Sequence, residues 1–150
     1  RGAFQNIAMA KVSVGAEDAR KLGMLRLHDR ITLNRDLLLQ DAKQTVLGLS
    51  RAGYRKPRPI KFRLPGADGA AAFRWFLDSM MRGNHITEYE FKMASKLAWV
   101  LCGGDTSTRV KVSQQHIMDL EREVFLSLCG EEKTQERIQH MLTKNKPLRN

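Results

Sequence analysis

The chain has 150 residues, of which 42% are hydrophobic and 28% charged, and its formal net charge is +10. Such a chain is long enough to bury a core, and its apolar runs are too short to span a membrane. Its two cysteines, Cys102 and Cys129, could form one disulfide, but so few cysteines in apolar surroundings favour free thiols, and a metal site would need more ligands. We therefore expect free thiols and a cytoplasmic location. The sequence begins at Arg1 rather than at methionine, and we therefore expect a piece of a longer protein.

The first third of the chain carries helical patterns. Residues 3–10 suit a short helix, and Ser13 is a candidate N-cap for a second helix that ends at Gly23. Residues 29–33 are a candidate strand, and Asn34 suits the N-cap of a long helix. That helix carries apolar residues at helical spacing, namely Leu38, Ala42, Val46 and Leu49.

The middle of the chain is interrupted by prolines. Residues 54–65 contain three of them and cannot be helical throughout, which predicts a linker. Within it, residues 60–64 are a second candidate strand. Asp68 is then predicted to cap a long helix that closes at Gly83 and Asn84.

Helical patterns resume and continue to the end. Thr87 and Glu90 match the capping box Thr-x-x-Glu at the start of a further helix. A loop is predicted over residues 105–111, Ser113 is predicted to cap the following helix, and Thr134 to start the last one. The sequence therefore predicts a mainly α protein, a bundle of six or seven helices with short loops and little or no strand.

A basic run between residues 51 and 63 is the clearest candidate binding feature. It has six cations and no acid, with Tyr54 and Phe62 among them. Clustered cations with interleaved aromatic residues can bind nucleic acid, or the phosphates of a nucleotide-like cofactor. A solvated linker explains the same run, and the prolines favour a connecting segment. The candidate phosphate contacts are Arg55, Lys56, Arg58 and Lys61.

No catalytic or metal-binding constellation emerges. The four histidines are scattered, and three of them have a carboxylate one helical turn away: His85 with Glu88, His116 with Asp119, and His140 with Glu136. A zinc site needs at least three protein ligands, so these pairs predict no metal site. The pair Gly103-Gly104 lacks the lysine of a phosphate loop and is predicted to end a helix.

Several segments carry a family resemblance. Residues 11–25 (KVSVGAEDARKLGML) resemble a late segment of enoyl-CoA hydratase (crotonase-like) domains, with Gly15 where serine or a similar small residue is usual. The rest of the chain resembles one subgroup of bacterial multifunctional β-oxidation proteins, in which a 3-hydroxyacyl-CoA dehydrogenase portion precedes a crotonase-like portion. The matching strings are DRITLN at 29–34, KLAWVLCGGD at 96–105, LEREVFL at 120–126, KTQERIQHML at 133–142 and KPLRN at 146–150.

The resemblance implies a parent enzyme that hydrates 2-enoyl-CoA and oxidises 3-hydroxyacyl-CoA with NAD. It implies that residues 1–33 end a crotonase-like segment and that residues 34–150 form one compact C-terminal helical region. The glutamates and oxyanion-binding backbone of crotonases lie upstream of the matched segment, and the chain lacks a glycine-rich NAD fingerprint. We therefore assign it no catalytic residue and no cofactor.

The resemblance also implies partners: the rest of the parent chain, an acyl-CoA substrate bound by the parent, and further copies in a homo-oligomer. On this interpretation the fragment serves packing and oligomerisation and is inactive alone. Two other hypotheses remain open at this point. One is a basic helical module that binds nucleic acid, which the prolines disfavour, and the other is an independent helical assembly module.

Overall fold

The computed structural model describes residues 2–108 and 110–150 of the chain. Within them the protein is 61% helical, with seven α-helices and one sheet of two short strands, which confirms the predicted mainly α class. Contacts divide the chain into two compact units, Arg1–Arg58 and Pro59–Asn150. The division falls inside the proline-containing segment predicted as a linker.

The first unit contains three of the helices. They are α1 (Gly2–Ala8), α2 (Ala16–Lys21) and α3 (Leu38–Arg51). A single 3-10 turn, Arg35–Leu37, leads directly into α3. Its apolar burial is slight, since Phe4 and Ala19 are the buried hydrophobic residues among those described in this unit.

Local signals in the first unit were predicted with mixed success. Asn34 was predicted to cap the long helix, but it caps the 3-10 turn that leads into α3: its side chain accepts a hydrogen bond from the backbone N–H of Asp36, and α3 itself has no side-chain cap. The prediction for Ser13 was wrong: α2 begins after Gly15, without a side-chain cap. Asp18 stabilises this entry instead, by accepting a hydrogen bond of 3.1 Å from the backbone N–H of Val14. Residues 29–33 form no strand.

The second unit contains four helices and the sheet. The helices are α4 (Gly66–Arg82), α5 (Glu88–Cys102), α6 (Gln114–Cys129) and α7 (Glu132–Lys144). Strand β1 (Lys61–Arg63) pairs antiparallel with β2 (Lys111–Ser113), so that Phe62 lies opposite Val112. The strand candidate at 60–64 is thus confirmed, whereas β2 begins at the end of a predicted loop.

The helices of the second unit begin close to their predicted starts. Thr87 and Glu90 form the complete capping box of α5, and Ser113 caps α6 by accepting a hydrogen bond from the backbone N–H of His116. Asp68 does not cap α4: the helix starts after Pro65, which places Asp68 in its first turn. There a carboxylate still complements the positive end of the helix dipole. Helix α7 starts at Glu132, before the predicted Thr134.

Helix α5 provides most of the core of the second unit. It contributes the buried residues Tyr89, Ala98, Val100 and Cys102, and α4 adds Leu77. The helices α4 and α5 approach closely beside Gly69, where an added Cβ would lie 3.1 Å from the Cys102 sulfur. Small residues at this crossing therefore permit the packing that forms the core.

The predicted domain division follows the resemblance and stays a prediction. It separated residues 1–33 from residues 34–150, whereas the contacts in the structure group residues 34–58, including α3, with the first unit.

Candidate functional site

The four candidate phosphate contacts lie on both sides of the division between the units. Arg55, Lys56 and Arg58 belong to the first unit, and Lys61 begins β1 in the second. All four are exposed, and none makes a side-chain hydrogen bond or ion pair with another described residue. Free cations of this kind can attract an anion, but no described side chain fixes their geometry.

The second unit has an open groove. Its volume is about 510 Å³, and it lies between α4, α5 and α6. It is lined by Ala70, Ala71, Arg74, Ser95, Lys96, Trp99, Glu123, Val124 and Ser127. No sequence motif marked it, because its walls come from three separate helices.

The polar groups of the groove include two side chains that donate hydrogen bonds to neighbouring helices and loops. Lys96 donates a hydrogen bond of 2.8 Å to the Ser127 hydroxyl, and the Trp99 indole donates one of 2.9 Å to Asp105. The Ser95 hydroxyl is buried and lacks a partner within the described part of the chain.

The C-terminal residues are fastened to the second unit by a group of polar contacts, here called the C-terminal clasp (Glu90, Arg137, Arg149 and Asn150). Arg149 forms two parallel hydrogen bonds to the Glu90 carboxylate, of 2.9 and 2.8 Å. Arg137 donates to the Asn150 side chain at 2.7 Å, and its guanidinium lies 5.4 Å from the centre of the Tyr89 ring. The clasp therefore links the start of α5, the middle of α7 and the final residues.

Electrostatics stabilises the ionised form of Glu90. The hydrogen-bonded Arg149 guanidinium lowers the pKa of this carboxyl from its ordinary value of 4.5, and its effect exceeds the opposing effect of partial burial. The Thr87 backbone N–H donates a further hydrogen bond of 2.9 Å to it. Glu90 was predicted only as part of the capping box, because its second partner is 59 residues away in the sequence.

The cysteine and histidine side chains described next are either buried or in contact with backbone carbonyl groups. Cys102 is almost fully buried, and burial raises the pKa of its thiol, which disfavours the reactive thiolate. The His116 ring lies 3.1 Å from the Gly103 carbonyl oxygen, and the His140 ring 2.8 Å from that of Lys146. Within residues 2–108 and 110–150 no group of three potential metal ligands occurs, and no helix is long and apolar enough to cross a membrane.

The solvent-accessible surface of the chain is unusually large. It measures 12170 Å², whereas a compact monomer of 17.1 kDa has about 7,700 Å² and two separate compact units of these lengths about 9,300 Å². Large apolar side chains contribute to it, since Leu39, Trp75 and Leu142 are each about four-fifths exposed. This surface is typical of a chain that packs against further protein.

Comparison with known proteins gives one relative. The chain is 46% identical over 147 residues to a protein of Bacillus subtilis (strain 168) named "Probable 3-hydroxyacyl-CoA dehydrogenase". The similarity covers 98% of this chain but 19% of the relative, so the chain spans about a fifth of that protein's length. No protein-family model matches the chain. No solved structure matches it either.

Proposed function

We propose that the chain is the helical part of a larger fatty-acid β-oxidation enzyme with 3-hydroxyacyl-CoA dehydrogenase activity. The observation that carries this proposal is the 46% identity to the probable dehydrogenase over nearly the whole chain. The chain's own task is packing against the catalytic parts and other subunits, and the catalytic groups lie elsewhere in the parent. Its large apolar surface supports a packing role.

The finer parts of the proposal concern the parent enzyme. Residues 1–33 end a crotonase-like segment, so the parent also hydrates 2-enoyl-CoA, and it works in the cytoplasm as a homo-oligomer. NAD belongs to the parent alone. The two described strands are antiparallel and three residues long, unlike the parallel β-α-β unit that binds a dinucleotide. A secondary part of the proposal is that CoA phosphates contact four exposed cations, namely Arg55, Lys56, Arg58 and Lys61. Their exposure and positive charge support it.

A chimera of the Bacillus subtilis relative tests the proposal. Three forms are compared: the intact relative, a form without the matched segment, and a form in which this chain replaces that segment. The assay is NAD-dependent oxidation of 3-hydroxybutyryl-CoA. We expect the deletion to abolish turnover and the replacement to restore it, while this chain alone has no dehydrogenase or hydratase activity.

Two outcomes would contradict the proposal. A replacement as inactive as the deletion would mean that this chain cannot take the place of the matched segment. Hydratase turnover of crotonyl-CoA by this chain alone would contradict the assignment of catalysis to other parts of the parent. Micromolar, salt-sensitive binding of nucleic acid would instead favour the basic-module hypothesis.

A further inference from the structure

Helix α3 carries an apolar surface that nothing in its own unit covers. Four residues spaced at 0, 4, 8 and 11 positions lie on one side of the helix and are here called the α3 stripe: Leu38, Ala42, Val46 and Leu49. All four are exposed, Val46 to 64%. No residue of α3 is buried.

The unit holds α3 by polar contacts beside the stripe. The Thr32 hydroxyl donates a hydrogen bond of 3.0 Å to Asp41, and Arg30 donates one of 2.8 Å to the Thr45 hydroxyl. These bonds fasten the segment before α3 along the flank of the helix. They leave the apolar side facing solvent, although this side has the most free energy to gain from burial.

An amphipathic helix of 14 residues is marginal in water without a packed apolar face. Phe4 and Ala19, the buried apolar residues described in this unit, belong to other elements. The α3 stripe therefore needs a surface outside the unit that holds it.

The composition of α3 disfavours a lipid surface as its occupant. Interfacial helices carry many Lys or Arg residues on the polar face, whereas α3 contains two cations in 14 residues, Lys43 and Arg51, together with the acid Asp41. A second copy fits poorly too. A stable interface between separate molecules uses about 20 residues on each side, and the stripe offers four. Four side chains are enough when the two surfaces belong to one polypeptide, since the connection raises their effective concentration.

We propose that the α3 stripe docks into an apolar groove on the remaining polypeptide of the longer enzyme. This inference rests on the proposed function, and it names the contact by which the first unit joins the parent. The available partner is large, because the matched segment is 19% of the relative's length. The docked helix completes a core that the first unit lacks.

Hydrogen exchange on the chimera described above tests the docking. In the isolated chain we expect α3 amides to exchange fast, and in the chimera at least about tenfold more slowly. V46D and L49D should each remove that protection, because they place a charge in the apolar contact. Q44D is the matched control: it introduces the same carboxylate on the polar side of α3 and should keep the protection.

The isolated chain controls for misfolding. Because Val46 and Leu49 are exposed there, V46D and L49D should leave its circular dichroism spectrum unchanged. An active chimera with α3 amides as fast as in the isolated chain would overturn the docking and leave the proposed function standing. An inactive chimera would contradict the proposed function itself.

Three further results would overturn the docking. Loss of α3 protection in Q44D as well as in V46D would show a general effect of charge. Concentration-dependent protection of α3 in the isolated chain would identify a second copy as the occupant. Protection by vesicles of anionic phospholipid, absent with zwitterionic vesicles, would identify a membrane surface.

Discussion

The two units differ in how their helices are held. In the second unit, α5 places Ala98 and Cys102 in a core where each is at most 1% exposed. In the first unit, α3 has no buried residue and is attached by hydrogen bonds of Asp41 and Thr45. An amphipathic pattern therefore gives a helix with buried residues in the second unit and a helix without buried residues in the first.

This difference shows that helical spacing predicts a helix but not its partner. The spacing of Leu38 and Val46 forms a stripe whether or not the covering surface is present. Burial of the α3 stripe requires a covering surface, and the first unit alone does not provide one. The second unit, by contrast, should keep its structure in any context, which makes it the place where single substitutions cost most.

The largest loss of stability is expected from Gly66→Ala, a substitution in the second unit. Gly66 has φ = +63°, and a Cβ there would collide with the carbonyl oxygen of Thr106, which already accepts the Ala67 backbone N–H at 3.1 Å. Strain at positive φ and the collision together should lower the free energy of unfolding by about 4 kcal/mol. Chemical denaturation monitored by circular dichroism measures it.

Gly48→Ala in the first unit is the control for that substitution. Gly48 lies in α3 with nothing within 4 Å of an added Cβ. The alanine should therefore stabilise the helix by about 0.5 kcal/mol through its higher helix propensity. Equal losses at Gly66 and Gly48 would contradict the proposed difference between the units.

The second prediction compares two helical leucines, one from each unit. Leu77 of α4 is 3% exposed, and Leu39 of α3 is 83% exposed. Leu77→Ala should lower the free energy of unfolding by about 3 kcal/mol, because it removes buried surface and leaves a cavity. Leu39→Ala in the isolated chain should change it by less than about 0.5 kcal/mol.

The same substitution in the chimera sharpens the comparison. If α3 docks on the parent polypeptide, replacing Leu39, which lies beside the α3 stripe, or a residue of the stripe itself should cost stability only there. A cost of Leu39→Ala in the isolated chain as large as that of Leu77→Ala would mean that α3 is already buried.

Much of the fold could be predicted because its signals are local. The caps at Thr87 and Ser113 each depend on a hydrogen bond across three residues, and both are confirmed. Asn34 makes a similar local bond, but it caps the 3-10 turn before α3 rather than α3 itself. The failures at Ser13 and Asp68 are local as well: the helices begin two or three residues away, after Gly15 and after Pro65, without a side-chain cap. A cap residue type marks a helix start only to within a few positions.

The features that were missed join residues far apart in the sequence. Strand β2 forms by pairing with β1, in which Val112 lies opposite Phe62. A strand of three residues is too short to show the alternation of apolar and polar residues by which a strand is predicted. The clasp joins Arg149 to Glu90, and the groove collects side chains from three helices. None of these arrangements follows from spacing along one element, so sequence patterns do not show them.

The smallest expected effect comes from Glu90→Gln, which loosens the clasp without touching the core. The substitution removes the charge that pairs with Arg149, so it should lower the Tm of the chain by a few degrees near neutral pH. Glu88→Gln is the matched control. Glu88 also lies in the first turn of α5, but it is exposed and makes no side-chain hydrogen bond with another described residue.

The pH dependence of that loss distinguishes the ion pair from a general change of shape. The folded protein holds the pKa of Glu90 below its ordinary value of 4.5, so its contribution to stability is present above about pH 4.5. It declines as the pH falls towards the lowered pKa, because the unfolded chain then binds the proton first. The Tm difference between the unmodified chain and Glu90→Gln should therefore shrink below pH 4.5. A difference that stays constant from pH 7 to pH 3 would mean that the clasp acts through the neutral side chain, and that the C-terminal residues are held by packing and neutral hydrogen bonds alone.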